Sequence, residues 1–264
     1  MTQTMLKPAA PTEVFARRSR LRVGVFVSLG VLLGVAFILS LALGQYYVAL
    51  GDLVQIMAAG PGGGLTANVV WQIRLPRILL GFLVGACLGV AGTLMQAVFA
   101  NPLAEPSIVG VTSGAGVGAA VVIVFNISVL GTFTVPLAAF ATALLVTALI
   151  YQLARSRGRV AVVNLILTGI AINAVCNAII SFMMYLAPTA NREQIIFWQM
   201  GSLNGSQWKH VWVGLPIALL GMAIALRLGR QLDVLALGER AAEHTGVDVK
   251  RCLLYTSDAA DDLL

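Results

Sequence analysis

Three polar residues interrupt one apolar run at a helical interval. Asn173, Asn177 and Ser181 stand at i, i+4 and i+8, which puts two carboxamides and a hydroxyl on one face of a helix. Polar groups turned toward lipid are costly, so such a face either lines a wet passage or hydrogen-bonds to neighbouring helices. The spacing leaves both roles open. Arg74 and Arg77 bracket a Leu-Pro step; guanidinium forks suit carboxylates, and they also reach out of a bilayer to anchor a helix end. Nucleotide hydrolysis has no residues to carry it. A phosphate loop ends in Gly-Lys followed by Ser or Thr, and neither Lys7, Lys209 nor Lys250 follows a glycine. The histidines, His210 and His244, are far apart and fall on opposite sides of the membrane when spans are drawn, so they read as interface or surface residues and no metal site is expected.

The elements that must position these residues are membrane helices. Of 264 residues, 59% are hydrophobic and 11% charged, against about a quarter charged in a soluble domain. The mean hydropathy is +0.91, which excludes a water-soluble enzyme. Apolar runs reach the roughly 20 residues that a helix needs to cross a bilayer. Six spans can be drawn, at 22–44, 77–99, 107–126, 132–154, 160–186 and 211–229. With both ends inside, 13 of the 17 basic residues fall on the cytoplasmic side, and only Arg74, Arg77, Arg192 and Lys209 outside. That division obeys the positive-inside rule and sets the N-terminus in the cytoplasm. The net charge of +6 therefore reflects topology, and nucleic acid is not an expected partner. The first span is too long for the apolar core of a signal peptide and reads as a retained anchor. Cys87, Cys176 and Cys252 form no CxxC pair and suggest no disulfide framework.

These spans predict an all-α, polytopic transmembrane helix bundle. Residues 1–21 are a cytoplasmic tail, 22–230 the membrane domain and 231–251 a cytoplasmic segment. Pro61 to Gly64 should turn the chain between a short interfacial helix and the second span. Gly81, Gly85 and Gly89, and again Gly110, Gly114 and Gly118, form stripes at i, i+4 and i+8 that allow close helix packing. Between them Asn101-Pro102-Leu103-Ala104-Glu105-Pro106 obliges a turn. None of the six spans holds Asp or Glu, whereas ion-coupled transporters commonly keep an ionisable group in the membrane. A pore-forming subunit driven by a partner fits better than a secondary transporter or a non-transporting scaffold, the two other readings.

Several separated motifs carry a more specific resemblance. Arg74-Leu75-Pro76-Arg77, Gly85-Ala86, Gly92, Gln96, Asn101-Pro102-Leu103-Ala104 and Gly114-Ala115 occur in order, followed by Leu167-Thr168-Gly169-Ile170-Ala171. Phe197-Trp198-Gln199-Met200-Gly201-Ser202-Leu203 with Trp208, then Leu237-Gly238-Glu239 with Gly246, complete the set. From roughly Trp71 to Arg251 the chain resembles the FecCD family of ABC-importer permeases. The resemblance implies a bacterial inner-membrane permease for an iron chelate, siderophore or haem, with cobalamin as the alternative cargo. It implies a dimer of permease subunits, two ATPase subunits that use the ATP, and an extracytoplasmic substrate-binding protein; no cofactor is expected on this chain. Arg74 and Arg77 would receive glutamates of the binding protein. Asn101 and Leu103 would lie at an inner constriction, and Asn173, Asn177 and Ser181 beside the pathway. Leu237, Gly238, Glu239, Ala242 and Gly246 would form the coupling helix that docks into the ATPase, with Gly246 ending it. Trp198, Met200 and Trp208 would lie outside, as residues of the membrane interface or contacts for a haem or docking partner.

Two features depart from the family. FecCD permeases have about ten helices, whereas six are drawn here. The residues from Cys252 to Asp262 do not follow the family pattern and resemble the translation of a transposon-end adapter used in sequencing libraries, joined after Arg251. Residues 252–264 are accordingly expected to be non-native, and the permease truncated.

Overall fold

The computed structural model describes residues 11–156, 159–160 and 162–235. The expected coupling segment, Leu237 to Gly246, and the final segment 252–264 lie outside them. The chain divides into two compact units, residues 1–78 and 79–264.

The first unit opens with α1 (Pro11–Ala42), whose first residue is a proline, a residue with φ already set for a helix and no N–H to leave unpaired. Short α2 (Leu50–Ala59) follows. Gly60, Gly62 and Gly64 then take positive φ, so the glycine cluster makes the expected turn. Helix resumes earlier than drawn: α3 (Leu65–Asn68) runs through a π turn (Val69–Arg74) into α4 (Leu75–Val98). The second span thus covers Leu65–Val98 and not 77–99, and Arg74 lies within helix instead of ahead of it. Pro76 explains the difference. It has no N–H for the carbonyl four residues back, and its ring crowds that carbonyl. The wider turn absorbs the defect: the Leu75 N–H donates to the Val70 carbonyl, five residues back.

The second unit is organised around α5 (Val111–Val124), in which eight of 14 residues are buried. At about 1.5 Å per residue it is some 20 Å long, short of the roughly 30 Å hydrocarbon core. The third span, drawn as 107–126, is therefore a 3-10 turn (Pro106–Val109), a break at Gly110 (φ +84°) and a short inner helix. Its apolar length is real, but the left-handed residue divides it. Next come α6 (Thr134–Ala154), a minimal hairpin of β1 (Arg155–Ser156) and β2 (Arg159–Val160), and α7 (Val162–Leu186). Then α8 (Thr189–Met200) precedes α9 (Trp208–Leu235).

Glycines set how closely α5 packs. A Cβ at Gly114 would lie 2.8 Å from the Val146 Cβ, and one at Gly118 would lie 2.5 Å from the Ala138 carbonyl oxygen, so both glycines are needed where α5 crosses α6. Leu94, Met95 and Val98 of α4 belong with Ala225, Leu228 and Leu232 of α9 to the main core. The earlier stripe behaves differently. Gly81 sits against Leu203, but beside Gly85 and Gly89 the space is open among the described residues.

Candidate functional site

The polar stripe on α7 meets a cavity of about 480 Å³ in the second unit. Its wall takes Thr112, Ser113 and Gly116 from α5, Asn173 and Asn177 from α7, and Trp198 and Gln199 from α8. Hydroxyls, carboxamides and an indole stand among the apolar groups of Ala115 and Ile180, giving a mixed surface without formal charge, able to hydrogen-bond a solute or water but not to neutralise an ion.

Asn173 and Asn177 play different parts in that wall. The half-buried Asn173 donates from Nδ2 to the Ser107 carbonyl (3.1 Å), and the Ser113 hydroxyl donates to its Oδ1. It thereby ties α7 to the 3-10 turn and to the first turn of α5, the interhelical role left open by the sequence. Asn177, one turn on, is exposed at the cavity. Ser181 is exposed and does not line it. Two of the three stripe residues therefore share the site.

The remaining lining residues depend on tertiary folding. A Cβ at Gly169 would press on the Ile108 carbonyl oxygen, so this glycine of the Leu-Thr-Gly-Ile-Ala motif lets α7 lie against the turn that holds Ser107. The Asn191 Nδ2 donates to the Ile123 carbonyl (2.7 Å), seating α8 at the end of α5. Trp198 then packs beside Ala120, Ile123 and Ile195 and lines the cavity. Met200 is 75% exposed, and Trp208 stacks on Trp212 with ring centroids 6.2 Å apart. Ser107, Thr112, Ser113, Gly116 and Gln199 were not anticipated. One signal was available: Gly116 is off the stripe that α6 requires, and a Cβ there would lie 2.9 Å from Ile180 on the cavity side.

The turn after α4 places the expected inner residues. Ala100 takes φ +45°, and the Asn101 Oδ1 accepts the Leu103 N–H (3.0 Å), a local Asx-type turn. Gln96 steadies it by donating Nε2 to the Pro102 carbonyl (2.9 Å). Leu103 projects from this turn with 86% exposure.

The arginines of the first unit are not equivalent. Arg74 is half-buried and donates to the carbonyls of Leu41 and Tyr46, beside the end of α1. Arg77 is exposed, and among the described residues no hydrogen bond or ion pair engages it. No group of three His, Cys, Asp or Glu side chains comes together among the described residues.

Among the described residues, five helices are long and apolar enough to cross a membrane, and two shorter apolar ones accompany them. Helices of this length and composition are those of an all-α, multi-pass membrane protein, and its second unit carries a pocket without formal charge. Residues 32–259 match the FecCD transport family; the chain belongs to that family and is an ABC-importer permease of it. The match takes in residues 32–70, ahead of the motifs visible in the sequence. The chain is similar to the vitamin B12 import system permease protein BtuC of Shigella boydii serotype 18, with 35% identity over 88% of this chain and 68% of that protein. The BtuC of Escherichia coli O157:H7 is 34% identical over the same shares. Among solved structures, a metal-chelate type ABC transporter in an inward-facing conformation superposes with a TM-score of 0.75 and 28% identity, covering 91% of this chain and 74% of that one.

Proposed function

We propose that this chain is one of two permease subunits through which a metal chelate enters the bacterial cytoplasm by alternating access. Two ATPase subunits bind and hydrolyse the ATP, and an extracytoplasmic binding protein delivers the cargo. The chelate passes between the permease subunits in the inner membrane, with the N-terminus of each in the cytoplasm. The observation that carries this reading is the family match across residues 32–259, which takes in most of the described helices. The uncharged cavity supports it, since a solute carried by a partner's ATP needs no ion-binding carboxylate in the pathway.

In this reading the helix turn bearing Arg74 and Arg77 meets carboxylates of the binding protein. Asn177 faces the hydrated route, and Asn101 and Leu103 border its inner constriction. Leu237, Gly238, Glu239, Ala242 and Gly246 dock into the ATPase. The cargo expected from the sequence is an iron chelate, siderophore or haem. The two BtuC relatives favour cobalamin as a second reading, and the superposed metal-chelate transporter supports the class that contains both. Uptake by cells expressing the complete system separates them: accumulation of labelled ferric siderophore or haem without labelled cobalamin selects iron, and the reverse selects cobalamin. Accumulation that persists with an inactive ATPase rejects the importer reading.

A further inference from the structure

We infer that His210 is a proton-sensitive cap on α9: its neutral imidazole closes the link 201–207 between α8 and α9, and protonation releases that link and slows transport. The cap rests on geometry within the second unit. Its effect on transport rests on the importer reading above, with 201–207 on the outer face of the membrane.

A helix begins with N–H groups that have no partner inside it. Gln207 caps α9: its carbonyl accepts the His210 N–H (2.9 Å) and the Val211 N–H (3.4 Å). The Gln207 N–H donates in turn to Nδ1 of His210 (3.1 Å). A side chain three residues past the cap that reaches back to the cap's N–H is half of a capping box, a place usually taken by Glu or Gln. Histidine can accept there only as neutral imidazole, with its proton on Nε2, because the imidazolium carries a donor on both nitrogens. As the pH falls and the ring gains its proton, the Gln207 bond is lost, and the new charge stands at the positive pole of the helix beside Lys209. An edge-on contact with Phe133, ring centroids 6.2 Å and planes 71° apart, orients the ring. Neither 201–207 nor the turn Gly131–Phe133 contains a titratable side chain to offset that charge, and α4 has none between 79 and 86, where Gly81 lies against Leu203. Arg192 and Glu193 sit at the far end of α8. Within the link, Gly201 and Gly205 take positive φ, the Asn204 N–H donates to the Ser202 hydroxyl oxygen (3.0 Å), and the buried Ser206 hydroxyl donates to the Leu203 carbonyl (2.6 Å). Those bonds stay inside the link, whereas the His210 bond joins it to α9. At its other end the link follows Trp198 and Gln199, which line the cavity, so its closure bears on the cavity wall.

The test uses the complete permease–ATPase complex in lipid nanodiscs. Amide hydrogen exchange within 201–211, corrected for the intrinsic effect of pH, is followed from about pH 7.5 to about pH 5.5, a range that spans imidazole titration. In the unaltered chain, exchange of the Gln207 amide is expected to quicken about fivefold at the acid end, the loss of one helix cap. His210→Gln keeps an acceptor at every pH and should hold the slow rate throughout, whereas His210→Ala should be fast throughout. An equal acid response in His210→Gln, or none in the unaltered chain, overturns the cap, and neither result depends on the alanine variant folding. In proteoliposomes with the binding protein, labelled ferric siderophore, haem or cobalamin is offered at both pH values on the outer side. ATP-driven uptake should fall further with acid in the unaltered chain than in His210→Gln, and an equal fall overturns the effect on transport. If no chelate is taken up at either pH, the importer reading fails, and the exchange arm still decides the cap.

Discussion

The Asn173 carboxamide accepts the Ser113 hydroxyl and donates to the Ser107 carbonyl, so a single side chain of α7 fixes both the turn before α5 and the first turn of α5 itself. Cavity shape and helix packing meet at that residue, one helical turn from Asn177, whose exposed side chain lines the cavity and has no hydrogen bond among the described residues.

This separation gives opposite expectations for two chemically identical substitutions. Asn173→Ala removes two interhelical hydrogen bonds and leaves the Ser107 carbonyl without its side-chain donor, a loss of about 1–3 kcal/mol. Asn177→Ala should change stability by no more than about 0.5 kcal/mol while lowering the transport rate. Thermal melting of the purified complex, compared with initial uptake rate, checks both. Equal melting of the two variants would contradict the assignment.

Gly169 and Gly92 offer a second contrast. A methyl at Gly169 must displace the Ile108 backbone, an overpacking cost of about 1–3 kcal/mol. Gly92 has open space beside it among the described residues, and alanine is the better helix former by about 1 kcal/mol. Gly169→Ala is therefore expected to lower the melting temperature, and Gly92→Ala to leave it unchanged or raise it.

Pro76 is expected to act on residues far from it in sequence. Pro76→Ala restores an N–H that can bond the Gln72 carbonyl, favouring ordinary α-helical winding over the π turn at Val69–Arg74. Removing one residue from that turn rotates the preceding segment by about 100° relative to α4, which draws Trp71 away from Ile56. Because Arg74 on that turn donates to Leu41 and Tyr46, faster protease cleavage within 43–49 is the expected result; cleavage at the normal rate would show that the π turn does not depend on Pro76.

Leu103 gives the fourth expectation. Because 86% of its surface is exposed, Leu103→Ala should change stability by no more than about 0.5 kcal/mol. A role at the inner constriction would appear instead as an increased leak of small solute from liposomes holding the complex without ATP.

How much of this was legible in the sequence varies with the distance of the interactions involved. The Asn173–Asn177 interval is a local property of one helix, and hydropathy alone marks the long apolar helices. The third span misled because a window average registers the apolar run but not the left-handed turn at Gly110. The second span was drawn from 77, whereas the helix begins at Leu65 and passes Pro76 through a wider turn. The partners of Arg74 lie 33 and 28 residues away, and Trp198 and Gln199 reach the cavity through the packing of α8 on α5, where Asn191 bonds to Ile123. Sequence spacing does not reach contacts of that kind.

The central claim, a permease that moves a metal chelate at the expense of a partner's ATP, is tested most directly in proteoliposomes. These should hold the permease with its ATPase, the binding protein and ATP on their respective sides, and labelled ferric siderophore, haem and cobalamin offered in turn. The account predicts accumulation of one of these chelates that requires ATP, the binding protein and an intact ATPase nucleotide site. Accumulation driven by an ion gradient without ATP, or none of any chelate by the fully assembled system, would contradict it.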